Sequence, residues 1–414
     1  MCERRRTGAA TTRARPAPWL AVLIALAAVA TGGGAAVGAP LGAVATNPWA
    51  STTFSPRPGA ADDVADATLA KVCGGGVDAS LVTVATEVAQ SLGAHGELPD
   101  AQEVEWRQHK AGNPQPWART WGARKVGAPL DRAGLALDVK KWLGASAARV
   151  RCGVATARSG SGEAAVEALA VVAVEPFADL APLPTQVPLG AWLDIDATLL
   201  RDVTDGRVIV LPPSGAPRTV LSTTDDAESP HVRAKALLGA PGRWIVQVLA
   251  SDGSGPRPVL EAEVWAGVDA PLVPPSSAAP GESLGDGLED PADALFARLQ
   301  GARAAEAVAT IARDPTLDAI AVAHAKAMRK AHKLAHDVGD GDPSERVAAT
   351  GTTWSLLGED VAKAKTERAV HRALYASPSH RANMLDRRFR KVGVGVAIDA
   401  ATGELWVAEE FGAK

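Results

Sequence analysis

The pattern of apolar and polar positions divides the chain into segments of different character. Apolar residues recur at helical spacing over residues 60–92 on both sides of the glycines at 74–76, which predicts two helices. Residues 135–143 predict a further helix, and residues 150–174 predict a β-hairpin. We therefore expect residues 66–178 to form an N-terminal α+β domain.

The pattern changes over residues 183–268. Short apolar runs, such as 207–211, 244–249 and 260–265, are separated by turns rich in Gly and Pro. Strands at this spacing are typical of an all-β immunoglobulin-like sandwich. No catalytic cluster is evident in this segment, so it is expected to be a spacer or a binding module.

A stretch rich in Pro, Ser and Gly, residues 269–289, predicts a linker. The last segment, residues 290–414, predicts three helices followed by a hairpin. The helices are expected at 291–311, from Asp314-Pro315 onward and at 370–376, and the hairpin strands at 392–398 and 404–411. Helices on a small antiparallel sheet give an α+β sandwich.

The beginning of the chain has the order of a secretory signal peptide. Five arginines precede an apolar run at residues 19–30, and small residues follow. We expect a signal peptide over residues 1–45 and a linker over 46–65, with an uncleaved anchor as the alternative. In either case the body of the protein leaves the cytosol and is secreted or held in the cell envelope.

Charge and cysteine content narrow the classes of partner. The formal charge is −4, and loss of the five arginines and one glutamate of residues 1–45 would leave −8. An acidic chain argues against nucleic acid as a partner, and no run after residue 45 is apolar enough to span a membrane. Cys73 and Cys152 are expected to form one disulfide, with two free buried thiols as the alternative.

The most informative motifs lie in the last hundred residues. They are Gly358-Glu359-Asp360 and Ser377-Pro378-Ser379-His380-Arg381-Ala382-Asn383, with His336 upstream. The residues of these motifs and their order along the chain resemble those of the bacterial branch of the CAP superfamily. This superfamily comprises the cysteine-rich secretory, antigen 5 and pathogenesis-related (SCP-like) proteins. The resemblance implies an α-β-α sandwich and a cleft that contains His336, Glu359 and His380.

The sequence departs from the family pattern at three places. Asp360 replaces the usual Asn, Ser379 replaces the usual Gly, and Glu409-Glu410 precede Phe411 where bacterial relatives often carry Gln. These changes leave the fold assignment intact. They do not imply a particular activity.

The three cleft residues permit two kinds of chemistry. Two imidazoles and a carboxylate can hold a divalent metal, and His336 with His380 would be the ligands of a zinc ion. The same groups, with Glu410 as an additional candidate, could act as general acid and base. His324 and His332 precede His336 at four-residue intervals and are expected to line a partly solvated edge.

Two further interpretations concern serines and an internal repeat. Ser377 and Ser379 lie beside His380, but no Gly-x-Ser-x-Gly motif frames either one, so a serine hydrolase is disfavoured. The pattern Asp-x-x-Leu-x-x-Val/Ile-Ala occurs at residues 78–85 and again at 314–321. This recurrence suggests that the N-terminal domain is a degenerate CAP-like copy. Two unrelated α+β domains are the alternative.

Three functions fit these observations. The first is an exported CAP-domain protein whose His/Glu cleft binds a lipid, a cell-wall component or a peptide, with or without a divalent metal. The second is a metal-assisted hydrolase acting on peptides or the cell wall. The third is a purely structural or adhesive envelope protein.

Overall fold

The computed structural model describes residues 47, 49, 52–56, 67–200, 203–225, 230–274 and 278–414. The predicted signal peptide and most of the predicted linker at 46–65 lie outside the described residues. Within these ranges no helix combines the length and apolar character needed to cross a membrane. The described residues form a single compact unit.

The N-terminal domain packs helices on a three-stranded antiparallel sheet. Its elements are β1 (Thr53–Phe54), α1 (Ala67–Ala70), α2 (Ala79–His95), α3 (Ala101–Lys110), β2 (Arg119–Val126), α4 (Arg132–Leu143), β3 (Arg151–Ser159) and β4 (Val166–Val174). Strand β4 lies between β2 and β3. The buried side of α2 covers the sheet. Asp78 caps the start of this helix, and its carboxylate accepts hydrogen bonds from the Ser80 and Leu81 amides.

Several sequence expectations for this domain agree with the structure. Two helices flank the glycines at 74–76, α4 ends at the predicted residue, and β3 and β4 form the predicted hairpin. A disulfide joins Cys73 and Cys152, which confirms the first of the two cysteine alternatives. Helix α3 and strand β2 were not predicted, because their surfaces are mainly polar and carry no clear periodicity.

The middle segment consists of two sheets that share one apolar core. Its strands are β5 (Ala178–Leu180), β6 (Leu183–Pro184), β7 (Gln186–Val187), β8 (Trp192–Leu199), β9 (Thr204–Leu211), β10 (Arg218–Val220), β11 (Ser222–Thr224), β12 (His231–Leu237), β13 (Gly242–Asp252) and β14 (Gly255–Ala266). The sheet orders are β10-β9-β13-β14-β7 and β11-β12-β8-β5. Buried apolar side chains from both sheets meet between them. The immunoglobulin-like assignment itself stays a prediction.

The C-terminal domain has the α+β composition that the sequence predicts. Its elements are α5 (Pro291–Ala305), β15 (Ala312–Arg313), α6 (Pro315–Ala331), α7 (Pro343–Ala349), β16 (Leu356–Ala364), α8 (Glu367–Ala376), α9 (Pro378–Leu385), β17 (Lys391–Ile398) and β18 (Leu405–Ala413). The sheet order is β15-β17-β18-β16. Apolar residues of α5, α8 and α9 pack on one face of this sheet, and α6 packs on the other.

Two local differences from the sequence expectations affect the site. Residues 378–385, for which no helix was predicted, form helix α9, and Pro378 occupies its first turn, where its missing N–H costs nothing. Helix α6 ends at Ala331, and His332 follows in the left-handed conformation with φ 49°. His336 therefore lies in the loop after α6 and does not share a helix face with His332.

Parts of both predicted linkers are packed against folded elements. Trp49 and Phe54, within the 46–65 segment, are fully buried, and Trp49 contacts Trp106 edge to face. In the 269–289 segment, the buried Glu282 accepts a hydrogen bond of 2.9 Å from Arg372 Nε. Large aromatic and paired charged side chains thus fix portions of the chain that composition alone marks as connecting segments.

The outer face of the five-stranded sheet carries buried polar residues that contact both flanking domains. The Glu261 amide on β14 donates to the Pro114 carbonyl of the N-terminal domain at 2.8 Å. The Gln247 side chain on β13 accepts from the Ser379 amide of α9 at 3.0 Å. The middle segment is therefore in contact with the C-terminal domain close to the predicted cleft residues.

Candidate functional site

His336 and Glu359 meet at the β16 edge of the C-terminal sheet. His336 Nδ1 lies 2.6 Å from Glu359 Oε1, and their side chains are 17% and 1% exposed. The loop after α6 supplies the imidazole, and the edge strand β16 supplies the carboxylate. Two of the three predicted cleft residues are thus in direct contact.

Arg346 on α7 connects this pair to a second carboxylate. Its Nη2 contacts Glu359 Oε2 and donates to Glu410 Oε1 at 3.1 Å. Its Nη1 donates to the His336 carbonyl at 2.7 Å. A role for Arg346 was not predicted from the sequence, although the preceding Asp342-Pro343-Ser344-Glu345 segment has the capping-box pattern that marks the start of helix α7.

Burial controls the protonation of the two glutamates. Glu359 and Glu410 are cross-strand partners on β16 and β18. Removal from water raises the pKa of Glu359 to about 7, although the Arg346 charge opposes this shift. Burial and, after it, the neighbouring Glu359 charge raise the pKa of Glu410 well above its ordinary value. Burial therefore favours the neutral form of Glu410, and Arg346 contacts both carboxyl groups.

His380 on α9 faces the same region without joining the hydrogen-bonded group. Its Nδ1 is buried and has no hydrogen-bond partner among the described residues. Burial, together with repulsion from His336, lowers the pKa of His380 to about 3. Burial also lowers the pKa of His336 to about 4. Both imidazoles are therefore neutral at physiological pH.

His324 lies deeper in the domain than the sequence indicated. Its side chain is completely buried rather than at a solvated edge. His324 Nδ1 lies 2.8 Å from Asp340 Oδ2, and Nε2 lies 3.0 Å from the Ala335 carbonyl and 3.7 Å from Glu359 Oε2. His324 thus supports the loop that carries His336, whereas His332 is exposed at the end of α6.

Asp360 and Glu409, two of the acids that depart from the family pattern, lie on the opposite face of the sheet from Glu359. Asp360 Oδ1 accepts a 2.8 Å hydrogen bond from Asn383 Nδ2. Burial and the cross-strand neighbour Glu409 raise the pKa of Asp360 well above its ordinary value. Burial therefore favours the neutral form of Asp360 at the position of the usual Asn. Glu410, and not Glu409, therefore faces the His336 side.

A turn of the middle segment covers His336. The Asp337 amide donates to the Ser254 carbonyl at 3.1 Å. The Pro256 carbonyl lies near the His336 ring and favours its protonated form, although burial outweighs this effect. A Cβ at Gly255 would lie 3.0 Å from the His336 Cβ. The β13–β14 turn thus closes the cleft on this side.

The serines beside His380 have other partners. Ser377 Oγ lies 3.3 Å from both Ser379 Oγ and Gln247 Nε2. Among the described hydrogen bonds, neither hydroxyl is joined to His380. This arrangement lacks the nucleophile-to-base contact that a serine hydrolase requires.

A metal at this site would have to use His336 and His380. The buried Nδ1 of His380 is a suitable ligand atom. Glu359 is less suitable, because its oxygens contact His336 and the Arg346 cation, whose charge would repel a metal. Within the described ranges, Glu105, His109 and Glu261, outside this domain, are the group of three whose ligand atoms come within 4.8 Å of one another. Zinc at His336 and His380 stays a prediction.

Comparison with known proteins identifies the class of the C-terminal domain. Residues 296–409 match the model of the family described as CAP, the cysteine-rich secretory protein family. The resemblance predicted from the sequence is therefore confirmed for this domain, which is a CAP domain. No curated protein matches the chain.

Solved structures similar to this chain include bacterial surface and secreted proteins. An outer surface protein from Borrelia burgdorferi is 18% identical, with 30% of this chain and 94% of that chain covered and a TM-score of 0.29. An extracellular SCP-domain protein from Bacillus anthracis is 14% identical, with 57% and 86% covered and a TM-score of 0.28. A cysteine-rich secretory protein from Staphylococcus aureus is 10% identical, with 57% and 84% covered and a TM-score of 0.25. TM-scores this low support no conclusion about function.

Proposed function

We propose that the protein is an extracytoplasmic binding protein whose CAP domain holds a peptide segment at the His336–Glu359 edge of its sheet. The observation that carries this proposal is the polypeptide turn already located there. The Ser254 carbonyl accepts a hydrogen bond from the Asp337 amide, and the Pro256 carbonyl lies near the His336 ring. A surface that pairs with the backbone of one turn presents the same groups to another extended segment.

The character of the site favours a peptide over a lipid. The side chains around Glu359 are polar and include His336, Arg346 and Glu410. An acyl chain requires an apolar wall, whereas neutral imidazoles and a charge-balanced Arg346 suit backbone groups and small uncharged residues. We therefore expect a ligand rich in Gly, Ser and Pro, like the turn itself.

A hydrolase is the second candidate, and one observation favours it. Burial raises the pKa of Glu359 to about 7, which is the range suited to a general base at neutral pH. However, His336 and Arg346 already occupy the carboxylate oxygens. Binding therefore accounts for the arrangement better than catalysis does.

The proposal can be tested with a labelled peptide that has the sequence of residues 251–258. Fluorescence anisotropy would measure its binding to the wild type, to Gly255→Val, and to Gly255→Val/His336→Ala. Displacement of the resident turn in Gly255→Val should strengthen binding by about tenfold or more, because the competent state becomes populated. The added His336→Ala change should remove this gain.

Other outcomes would overturn the proposal. If Gly255→Val does not bind the peptide saturably at millimolar concentration, the His336–Glu359 edge has only a structural role. Cosedimentation with phosphatidylglycerol vesicles that depends on His336 would point to a lipid ligand instead. Cleavage of the peptide, detected by mass spectrometry and abolished in Glu359→Gln, would establish the hydrolase.

A further inference from the structure

A second cluster of metal-ligating side chains lies where helix α3 of the N-terminal domain meets strand β14. Glu105 and His109 are four residues apart on α3, so they project from the same face of the helix. Glu261 extends toward them from the outer face of the five-stranded sheet. One ligand atom from each of the three residues lies within 4.8 Å of the other two.

The burial of these residues differs in a way that suits a bound ion. His109 and Glu261 are 4% and 8% exposed, whereas Glu105 is open to solvent. A buried carboxylate is costly unless a cation or hydrogen bonds compensate it. The exposed Glu105 provides a route by which an ion can enter.

Neighbouring residues hold the cluster in position. Glu263 accepts hydrogen bonds from Trp265 Nε1 at 2.9 Å and pairs with Arg243 Nη2 at 2.6 Å. His109 Nδ1 lies 3.6 Å from Glu263 Oε2. Glu263 is thus charge-balanced by Arg243 and serves as the carboxylate beside the histidine ring that commonly orients a metal-binding imidazole. One ring nitrogen of His109 lies within 4.8 Å of a carboxylate oxygen of Glu105 and of Glu261.

We propose that Glu105, His109 and Glu261 bind a divalent cation of the zinc type at the junction of the N-terminal and middle segments. One imidazole and two carboxylates are ligands that zinc accepts, and the tetrahedral preference of the ion leaves a fourth position for water from the solvent side. The site is separate from the His336–Glu359 cleft, and the proposal does not depend on the function of that cleft.

The location gives the ion a structural consequence. Glu261 Oε2 accepts a 2.7 Å hydrogen bond from Gln247 Nε2, and Gln247 Oε1 accepts from the Ser379 amide at the start of α9. An ion on Glu261 would therefore fix both the α3–β14 contact and the side chain that meets the CAP domain. Zinc should stabilise the association of all three segments.

Zinc binding to the purified protein would test the proposal by isothermal titration calorimetry. The His336→Ala/His380→Ala variant, which lacks the candidate ligands of the CAP domain, should bind one zinc ion. Adding Glu105→Gln and Glu261→Gln to that variant should abolish this binding. Adding Glu103→Gln alone, which removes one charge from the same helix as Glu105→Gln does, should leave this binding unchanged.

A single substitution guards against misfolding as an explanation. Glu105 is exposed, so Glu105→Gln should retain the wild-type melting temperature in the absence of zinc and weaken binding by about tenfold or more. The proposal is overturned if the His336→Ala/His380→Ala variant binds no zinc. It is also overturned if that variant binds zinc equally well with and without Glu105→Gln.

Discussion

Gly255 lies directly against His336. A Cβ added at Gly255 would approach the His336 Cβ to 3.0 Å and its Cδ2 to 3.4 Å, and the glycine has a φ of +104°. Few L side chains adopt this conformation. We therefore expect Gly255→Val to unseat the β13–β14 turn from the CAP domain. Hydrogen exchange at the Asp337 amide, which bonds the Ser254 carbonyl, should then accelerate.

Gly253 in the same turn provides the matched control. A Cβ at Gly253 would meet nothing within 4 Å. Gly253→Val should therefore leave exchange at Asp337 at the wild-type rate. Equal acceleration in the two variants would show that the turn responds to β-branching in general and not to its contact with His336.

Arg346 is the cation on which the buried carboxylates of the site depend. It contacts Glu359 and Glu410, which are 6% and 0% exposed. Arg346→Met leaves these groups without a positive partner, and the free energy of unfolding near pH 7 should fall by about 3–5 kcal/mol. The loss should be smaller in acid, where both carboxylates are protonated. Urea unfolding at the two pH values would measure the difference.

An ion pair with one solvent-exposed partner in the same domain calibrates this result. The Arg388 side chain is 71% exposed and pairs with Asp386, whose side chain is 18% exposed. Arg388→Met should cost less than about 1 kcal/mol, because solvent screens exposed pairs. If the two substitutions cost the same, burial does not set the strength of the Arg346 contacts.

Glu409 should make the protein less stable as the pH rises. Burial raises the pKa of Glu409 to about 8 from its ordinary value of 4.5, with Arg313 opposing the shift. The folded state keeps the proton over a range in which the unfolded chain has lost it. The contribution is therefore complete below pH 4.5 and lost as the pH rises toward 8, at about 1.4 kcal/mol per pH unit.

Glu409→Gln isolates this contribution. The glutamine does not titrate, so the variant should lose less stability than the wild type between pH 5 and pH 8. Chemical unfolding of both proteins across this range is the measurement. Parallel stability curves for the two proteins would show that Glu409 does not retain its proton on folding.

The sequence predicted the elements whose apolar positions repeat regularly. Helix α6 begins after Asp314 with Pro315 in its first turn, as expected, and the 391–413 hairpin pairs as its alternating residues indicate. Helix α3 escaped prediction because its mean hydropathy is low and its buried side includes the polar residues Gln108 and His109. Such burial depends on contacts with the middle segment, which no local pattern records.

The sequence motifs predict that His336 and Glu359 lie in one cleft, and the structure shows the two side chains in hydrogen-bond contact. Arg346 was missed, because an arginine near a helix start has many ordinary surface roles. The cover formed by Ser254 and Gly255 depends on the arrangement of two segments more than 70 residues apart, and sequence spacing carries no information about it.

The proposed internal repeat has a structural counterpart in the contacts between helix and strand. The Asp78 amide donates to the Cys152 carbonyl at 3.1 Å, and the Asp314 amide donates to the Val392 carbonyl at 3.0 Å. Each contact links the start of a helix, α2 or α6, to the first strand of a hairpin. By these contacts Gly153 corresponds to Gly393. The CAP-like origin of the N-terminal domain stays a prediction.

The two glycines provide a test of this correspondence. A Cβ at Gly153 would lie 2.0 Å from the Leu81 carbonyl carbon, and a Cβ at Gly393 would lie 2.0 Å from the same atom of Leu317. Because helix backbone cannot yield as a side chain can, Gly153→Ala and Gly393→Ala should each lower the free energy of unfolding by about 3 kcal/mol or more. Gly239→Ala, where a Cβ meets nothing within 4 Å, should change it by less than about 0.5 kcal/mol. A neutral effect at Gly153 with a large loss at Gly393 would mean that the two helix–sheet contacts are not equivalent and would remove the structural support for a repeat.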